Sequence, residues 1–212
     1  MSISVVVLAA GKGTRMKSDL PKVLHKVLGK SLLAHSLDTL SFIENQFVVV
    51  GHESEMVINS LPSSTKHILQ KDQLGTGHAL SIVVSSEFFI QNKSEFTLVV
   101  PGDVPAIDAK DIELLIGEVK TKASPVGFLT SIVENPYGYG RVVKNNEEIR
   151  IVEEKDCNEN EREINEINSG IYCFNTDFLI DNIDSLDSKN AQGEFYLTDL
   201  IGIANIKNKI SL

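Results

Sequence analysis

Three hydrophobic runs, made largely of β-branched residues, stand out in the first hundred residues of the chain. They are Ile-Ser-Val-Val-Val-Leu at residues 3–8, Phe-Val-Val-Val at residues 47–50 and Phe-Thr-Leu-Val-Val at residues 96–100. Each run is followed by a glycine-containing turn. Runs of this kind are typical of strands that are buried on both faces of a parallel sheet. We therefore predict three core strands at these positions.

Between these runs the apolar residues recur every three or four positions, which is the period of a helix. We predict one helix capped by Ser31, a second at residues 76–86 and a third at residues 108–120. The apolar positions of the first and third helices are Leu32, Leu33, Leu37 and Leu40, and Ile112, Leu115, Ile116 and Val119. Alternating strands and helices with buried strands predict an α/β fold with a mainly parallel sheet.

The pattern changes after residue 125. We predict strands at residues 126–133 and 171–174, a turn at residues 137–141 and a mobile, charged surface loop at residues 156–166. A helix is predicted at residues 195–205. Its apolar positions are Leu197, Leu200, Ile201 and Ala204. The second half is interpreted as a substrate lobe, and the strand-like residues 209–212 suggest a chain truncated at its C-terminus.

Composition narrows the class of protein. The 212 residues suit one large domain, and 42% of them are hydrophobic, enough for a sizeable core. The net charge of -9 argues against a general nucleic-acid binder. No run approaches the roughly 20 apolar residues of a membrane span, and no signal peptide is visible. Two cysteines without metal-ligand spacing suit a reducing compartment, so we expect a soluble cytoplasmic protein.

A positively charged glycine loop at residues 8–15 follows the first predicted strand. Ligands of open α/β sheets bind beyond the carboxyl ends of the strands, and glycines let backbone N–H groups approach an anion. Lys12, Arg15 and Lys22 surround this loop, a set of cations that suits a triphosphate. The third glycine of the dinucleotide fingerprint is replaced by Met16, and the Walker pattern is absent. A solvated basic turn is the alternative.

The loop is also the first of seven motifs that carry a family resemblance. Leu-Ala-Ala-Gly-Lys-Gly-Thr-Arg-Met at residues 8–16, followed by Asp-Leu-Pro-Lys-Val-Leu at residues 19–24, resembles the signature of the sugar-1-phosphate nucleotidyltransferases. The match is closest to the pyrophosphorylase domain of bacterial N-acetylglucosamine-1-phosphate uridyltransferases. The other motifs, in the family's order, are Gln70 with residues 74–79, and residues 102–105, 139–141, 151–156, 166–171 and 193–199.

The resemblance implies a fold and a reaction. The fold is the nucleotide-diphospho-sugar transferase fold, a Rossmann-like mixed, mainly parallel sheet flanked by helices, with a nucleotide-binding half at residues 1–125 and a sugar-binding lobe at residues 126–212. The reaction joins UTP and N-acetylglucosamine 1-phosphate, with Mg²⁺ as cofactor, and releases pyrophosphate and UDP-N-acetylglucosamine, a cell-envelope precursor. Neither a nucleic acid nor a membrane is an expected partner.

The resemblance also assigns site residues. Lys22 would contact the α-phosphate, Arg15 the leaving pyrophosphate and Asp103 the metal, and these three would be the catalytic residues. Gln70 would read the uracil. The full nucleotide set is Leu8, Ala9, Ala10, Gly11, Lys12, Gly13, Thr14, Arg15, Lys22, Gln70, Gly75 and Thr76. The sugar set is Gly140, Glu153, Asn168 and Thr198.

Some positions depart from the family's pattern. Pro101 stands where relatives often carry an aromatic or polar residue that lines the sugar pocket, and Ala106 stands where leucine is common. The family's second metal ligand, an asparagine, would fall beyond residue 212, so we expect an incomplete metal site in this chain. His78 is expected to pack near the base.

Other functions remain open at this point. A sister transferase for thymidylyl, guanylyl or cytidylyl groups would share the fold, and Gln70 with its motif favours UTP. A non-catalytic nucleotide-binding regulatory module is the alternative from a different class, although Lys22, Arg15 and Asp103 are all present. In the bacterial family an acetyltransferase domain that forms homotrimers often follows, and its hexapeptide repeat is not found in these residues.

Overall fold

The computed structural model describes residues 2–13, 16–145, 148–206 and 210–211. The strands are β1 (Ile3–Ala9), β2 (Lys26–Val27), β3 (Lys30–Ser31), β4 (Asn45–Val50), β5 (Lys66–Leu69), β6 (Phe96–Pro101), β7 (Val126–Ile132), β8 (Arg141–Asn145), β9 (Glu148–Val152), β10 (Glu166–Asn175) and β11 (Ile210–Ser211). The helices are α1 (Leu32–Thr39), α2 (Ser54–Ser60), α3 (Thr76–Val84), α4 (Glu87–Gln91), α5 (Ala109–Thr121), α6 (Glu159–Arg162), α7 (Thr176–Asn182) and α8 (Asp199–Ile206). Short 3-10 helices lie at Lys22–Leu24 and Ile183–Ser185.

The main sheet has the strand order β11-β7-β10-β6-β1-β4-β5. β1 is parallel to both β4 and β6, and β4 is parallel to β5. β10 runs antiparallel between β6 and β7, and the β8–β9 hairpin joins the sheet through β10. The predicted mixed, mainly parallel sheet is therefore confirmed. Because β1, β4, β5 and β6 run in the same direction, their carboxyl ends meet at one edge of the sheet, where ligands of such folds bind.

Helices cover both faces of this sheet. On one face, Val6 of β1 packs in a cluster with residues of α3, α7 and α8. On the other face, Val5 and Val7 pack with residues of α1 and α5. Because successive residues of a strand point to opposite faces, covering both faces buries the whole middle of β1. This burial explains the unbroken hydrophobic runs, and all three predicted core strands are confirmed.

Side-chain caps begin two of the predicted helices, α1 and α5. The Ser31 hydroxyl accepts a hydrogen bond from the Ala34 N–H, which starts α1, and the Asp108 carboxylate accepts one from the Lys110 N–H, which starts α5. Each cap satisfies a backbone donor that the first helical turn leaves free. The predicted apolar face of α5 is fully buried.

The last predicted helix begins later than its apolar pattern indicates. α8 starts at Asp199, four residues after the expected start at Phe195. The Phe195 N–H donates to the Leu74 carbonyl, and the Leu197 N–H donates to the Thr76 hydroxyl. Because these two backbone N–H groups are hydrogen-bonded to Leu74 and Thr76, at the start of α3, the helix begins only after Leu197.

The prediction of a loop at residues 156–166 is wrong. The segment contains α6, and Asn158 and Glu161 form a reciprocal capping box around it. Glu161 is buried and also pairs with Arg150 of β9. An Asn and a Glu spaced three apart are the signature of this cap, and the high charge of the stretch hid it.

No helix in the described part of the chain has the length and apolar character needed to cross a membrane.

Candidate active site

A cavity of about 610 Å³ opens at the edge of the sheet where β1, β5 and β6 end. The predicted nucleotide residues that line it are Leu8, Ala10, Gly11, Lys12, Gln70, Gly75 and Thr76. The predicted sugar residues that line it are Glu153, Asn168 and Thr198. Seven residues that were not predicted to contact substrate complete the wall: Gln73, Ala79, Pro101, Gly170, Tyr172, Glu194 and Leu197. The fold thus brings the motifs of both halves of the chain around one space.

The other predicted residues that the structure describes are not part of the lining. The Ala9 side chain is buried in the core on one face of the sheet. Thr14 and Arg15 fall outside the described residues, so their predicted roles stay predictions. Gly13, Lys22, Asp103 and Gly140 adjoin the site and are described in turn below.

An ion pair lies beside the glycine loop. The Lys22 ammonium group contacts the Asp103 carboxylate, and both side chains are partly exposed. Gly13 has a φ of +60°, and a Cβ there would lie 2.6 Å from the Lys22 Cβ. Glycine is therefore required for the loop to close onto Lys22. The exposed pair leaves both charges within reach of an anionic ligand and its counter-ion.

Asp103 is held at the carboxyl end of β6. The preceding Gly102 donates its N–H to the Leu8 carbonyl at 2.9 Å, which ties the turn to the end of β1. In the described parts of the chain, no group of three or more His, Cys, Asp or Glu residues is placed to hold a metal. Asp103 alone fits an ion such as Mg²⁺, which takes one or two carboxylates and completes its shell with phosphates and water.

The cavity lining also contains Gln70, which is 3% exposed. Its Nε2 donates to the Gly75 carbonyl at 3.1 Å and to His78 Nδ1 at 3.2 Å. Both amide protons are thus used inside the protein, and His78 lies beside Gln70 as expected. In the described residues nothing donates to Gln70 Oε1, so this atom can accept a hydrogen bond from a ligand.

Two of the sequence motifs are joined behind Gln70. Gly75 has a φ of +107°, and a Cβ there would lie 2.6 Å from the Phe195 carbonyl oxygen. The Gly77 N–H donates to that same carbonyl at 2.8 Å. The motif at residues 74–79 is therefore fastened to the motif at residues 193–199, which comes from the other half of the chain.

Asn168 lies in the wall formed by the second half of the chain. Its Nδ2 donates to the Tyr172 hydroxyl at 2.5 Å, and its Oδ1 accepts from the Gly170 N–H at 3.1 Å. The Asn168 backbone N–H donates to the Gly140 carbonyl at 2.9 Å. A Cβ on Gly140 would lie 3.3 Å from Glu153 Oε1, so Gly140 adjoins the cavity wall at Glu153.

Glu153 is a perturbed carboxyl group in this wall. Burial raises its pKa, and the negative charges of Asp156, Asp199 and Glu194 raise it further. The nearby Thr198 hydroxyl acts in the opposite direction. Thr198 Oγ1 is buried and, within the described residues, makes no hydrogen bond of normal geometry. The Glu153 carboxyl group and the Thr198 hydroxyl therefore lie side by side in the cavity wall, and both are suited to a polyhydroxylated ligand.

Arg141, in the predicted turn motif, has a structural role. It is 1% exposed and donates to Glu154 at 2.7 Å and to the Tyr139 carbonyl. Glu154 also accepts the Gly138 N–H at 2.9 Å, and this bond, followed by the one from Arg141, lowers the pKa of Glu154. The buried pair holds the turn before Gly140 in place.

Pro101 does line the cavity, as its position in the family's pattern suggested. Gly170 has a φ of +80°, and a Cβ there would lie 2.9 Å from Pro101 Cγ. The proline ring thus packs on the Gly170 backbone. Sequence reasoning missed Tyr172 because its place in a hydrophobic strand is typical of a core residue. Glu194 was missed because nothing in its sequence context distinguishes it from the other acidic residues of a chain that has 29 Asp and Glu residues.

Comparisons with known proteins agree with this geometry. Two curated proteins named bifunctional protein GlmU are similar in sequence. The one from Fervidobacterium nodosum is 44% identical over 210 residues, which are 99% of this chain and 46% of that protein. The one from Clostridium beijerinckii is 45% identical over 208 residues, which are 96% of this chain and 45% of that protein. The chain spans about half the length of the curated relatives it matches.

Solved structures show the same fold. A protein assigned as a glucose-1-phosphate thymidylyltransferase from Bacillus anthracis, in complex with sucrose, matches with a TM-score of 0.79 at 21% identity, over 99% of this chain and 85% of that one. A UDP-glucose pyrophosphorylase complexed with UDP-glucose matches with a TM-score of 0.72 at 17% identity, over 99% and 89%. The chain has the expected nucleotide-diphospho-sugar transferase fold.

One family profile, that of the MobA-like NTP transferase domain, matches residues 5–143. This segment runs from β1 to β8 and contains the glycine loop, Lys22, Gln70 and Asp103. Since the match covers well over half of the chain, this protein belongs to the MobA-like NTP transferase domain family.

Proposed function

We propose that this chain transfers a uridylyl group from UTP to N-acetylglucosamine 1-phosphate and so forms UDP-N-acetylglucosamine and pyrophosphate. The observation that carries the proposal is the single cavity lined by Gln70 and the glycine loop on one side and by Glu153 and Asn168 on the other. The similarity to two proteins named GlmU supports it.

The base would lie against Gln70. Uracil presents an N–H between two carbonyl oxygens, so its reader needs an acceptor and at least one donor. Gln70 Oε1 is the free acceptor, and the backbone of the α3 N-terminus, which begins at Thr76, adds donors. Because the Gly75 carbonyl can only accept a hydrogen bond, it fixes the Gln70 amide with its nitrogen towards Gly75, and a base with an acceptor at this position would face the Gln70 oxygen and be rejected.

The phosphates would lie along the glycine loop towards Lys22. A phosphate oxygen of the sugar phosphate attacks the α-phosphorus of UTP, the bond to the bridging oxygen breaks, and pyrophosphate leaves with the electron pair. The nucleophile is already an anion, so no general base is needed, and the barrier lies in charge repulsion and alignment. Lys22 would neutralise the α-phosphate, and Arg15 would hold the pyrophosphate.

The metal belongs to the same proposal. Nucleotidyltransferases of this family generally use a divalent metal. Mg²⁺ would be the ion here, and Asp103 would be its ligand from the described residues. When bound, such an ion neutralises phosphate charge. The Lys22–Asp103 pair must open for both residues to meet their ligands, since in the absence of substrate they neutralise each other.

Several broader statements are also part of this proposal. The division into a nucleotide-binding half (1–125) and a sugar lobe (126–212) is supported by the origin of the lining residues. A cytoplasmic location is supported by the two buried free cysteines, which suit a reducing compartment. Homotrimer formation through a further domain stays a prediction from the resemblance.

Pyrophosphate release by this chain tests the function. The chain is supplied with Mg²⁺ and N-acetylglucosamine 1-phosphate, and UTP is compared with CTP, GTP and TTP. We expect release with UTP, and Lys22→Ala should lower kcat at least about 100-fold, the scale seen when one transition-state charge partner is removed. Exposed Lys120→Ala is the matched control. Release with another nucleotide would indicate a sister transferase. UTP binding without release, both from this chain and from one extended by a few dozen residues, would indicate a regulatory module.

A further inference from the structure

The Tyr172 hydroxyl is a polar group in an otherwise apolar setting. Tyr172 belongs to β10, pairs with Val99 of β6 and is 3% exposed. Its ring packs between those of Phe128, at a centroid distance of 6.2 Å, and Phe174, at 5.8 Å. A phenylalanine would fill this space equally well. The hydroxyl therefore adds nothing to the packing, and its reason must be sought at the cavity that Tyr172 lines.

An irregularity in β10 brings this hydroxyl to Asn168. In an unbroken strand, residues four apart are separated by roughly 13 Å along the strand. The register of β10 against β7 shifts between Asn168 and Tyr172, and Gly170 takes a φ of +80° inside this shift. Asn168 Nδ2 consequently lies 2.5 Å from the Tyr172 oxygen. The strand is bent locally in a way that joins the two side chains.

The hydrogen bonds of the pair leave two donors free. Asn168 Oδ1 accepts from the Gly170 N–H, and one Nδ2 proton goes to Tyr172, so the amide cannot be reversed. The second Nδ2 proton of Asn168 is unused. Across the described residues nothing accepts the proton of the Tyr172 hydroxyl either. Two adjacent donors in the cavity wall suit one carbonyl oxygen, which has two lone pairs.

The neighbouring acid supplies the complementary group. Glu153 lines the same cavity, and its charge adds to the effect of burial in raising the pKa of Tyr172. Tyr172 therefore stays protonated and able to donate. Glu153 can accept a sugar hydroxyl next to the two donors. The wall offers two donors and an acceptor, which matches a sugar that carries an acylamino group beside a hydroxyl.

We propose that Tyr172 determines specificity at the sugar end: its hydroxyl fixes the orientation of the Asn168 amide and presents its own proton to the carbonyl of an acylamino substituent. The inference rests on the proposed function and adds the residue that separates an N-acetylated sugar from its hydroxyl analogue. Loss of the hydroxyl leaves the carbonyl with an incomplete set of donors, while a sugar without the acyl group loses little.

Tyr172→Phe tests this inference, with kcat/KM measured for N-acetylglucosamine 1-phosphate and for glucose 1-phosphate. The preference of the wild type for the acylated sugar should fall about tenfold, and the KM for UTP should stay within about twofold. An unchanged preference in a variant with wild-type thermal unfolding would overturn the inference. Calorimetric binding of the two sugar phosphates separates this result from failure of the proposed function. If the wild type binds them but releases no pyrophosphate, a tenfold loss of affinity in Tyr172→Phe that is confined to the acylated sugar still supports the role of Tyr172. Unchanged affinity of the variant for the acylated sugar overturns it.

Tyr196→Phe is the matched control. Tyr196 is also buried, and its hydroxyl bonds to Asp156 and Gln192, but it does not line the cavity. Its loss should leave the sugar preference unchanged. Should Tyr172→Phe fail to fold, Asn168→Ala is the second variant: a loss larger for the acylated sugar supports the paired donors, and an equal loss for both sugars contradicts them. Where both variants fold, their double variant should lose more of the preference than Asn168→Ala alone, because the Tyr172 proton is then removed too, but less than the two single losses combined, because Tyr172 no longer has an Asn168 amide to orient.

Discussion

Gly75 is the position where a single added methyl group should be most informative. Its φ of +107° and ψ of 176° lie in a region that only glycine enters readily, and forcing another residue there costs about 1–3 kcal/mol. The added Cβ would also lie 2.6 Å from the Phe195 carbonyl oxygen and 3.0 Å from the Glu194 Cβ. Both contacts involve residues that are held by hydrogen bonds, Phe195 by the Gly77 N–H and Glu194 by the Asn190 side chain, so a shift of this segment adds about 1–3 kcal/mol.

We therefore expect Gly75→Ala to lower the free energy of unfolding by about 3 kcal/mol, which is about 6–12 °C in Tm for a chain of this size. The KM for UTP should rise as well, because Gln70 is oriented by its bond to the Gly75 carbonyl. Urea unfolding and pyrophosphate release measure the two effects.

Gly117→Ala is the matched control for this substitution. Gly117 lies inside α5, and a Cβ there meets nothing within 4 Å. Alanine favours a helix over glycine by about 1 kcal/mol, so this variant should be more stable than the wild type and equally active. If Gly75→Ala unfolds within about 0.5 kcal/mol of the wild type, the reasoning from backbone strain and contact at Gly75 is refuted.

Two other perturbations concern charged groups. The pKa of Glu153 is raised in the folded chain, so its contribution to stability is full below the ordinary pKa of glutamate and is lost as the pH rises through the raised value. Glu153→Gln should flatten this decline of Tm with pH. If the Tm of the variant falls with pH in parallel with that of the wild type, the argument is contradicted. Arg141→Met should destabilise by about 1–3 kcal/mol in urea unfolding, because the Glu154 carboxylate and the Tyr139 carbonyl both lose the hydrogen bonds that Arg141 donates. Adding Glu154→Gln should recover part of that loss, and no recovery would show that the pair is not the cause.

The core of the fold could be predicted because burial on both faces leaves a direct mark on the sequence. β1, β4 and β6 are read from unbroken apolar runs, and α1 and α5 from caps followed by an apolar face. The attachment of the β8–β9 hairpin to β10 and the start of α8 depend on partners far away in the sequence. Phe195, for example, lies outside the helix because its N–H donates to the Leu74 carbonyl, and no local pattern in the sequence reveals this contact.

The candidate site divides in the same way. Lys12, Gln70 and Glu153 belong to motifs with recognisable spacing, and they do line one cavity. Tyr172 could not be identified, because its ring satisfies the strand pattern and its hydroxyl is visible only once the register shift of β10 is known. The Lys22–Asp103 contact is likewise set by the closure of the glycine loop, which spacing alone does not describe.

The position of β10 in the sheet has a consequence for the distance between the two sides of the cavity. Leu8 and Pro101 are neighbours across β1 and β6, and β10 is the next strand in the ladder. Neighbouring strands are held about 4.8 Å apart by their hydrogen bonds. The spacing between β1 and Tyr172 on β10 is therefore set by two strand-to-strand steps of one sheet, from Val6 to Val99 and from Val99 to Tyr172. Because this spacing is fixed by the sheet, a ligand of different length would have to be accommodated by side chains in the cavity wall.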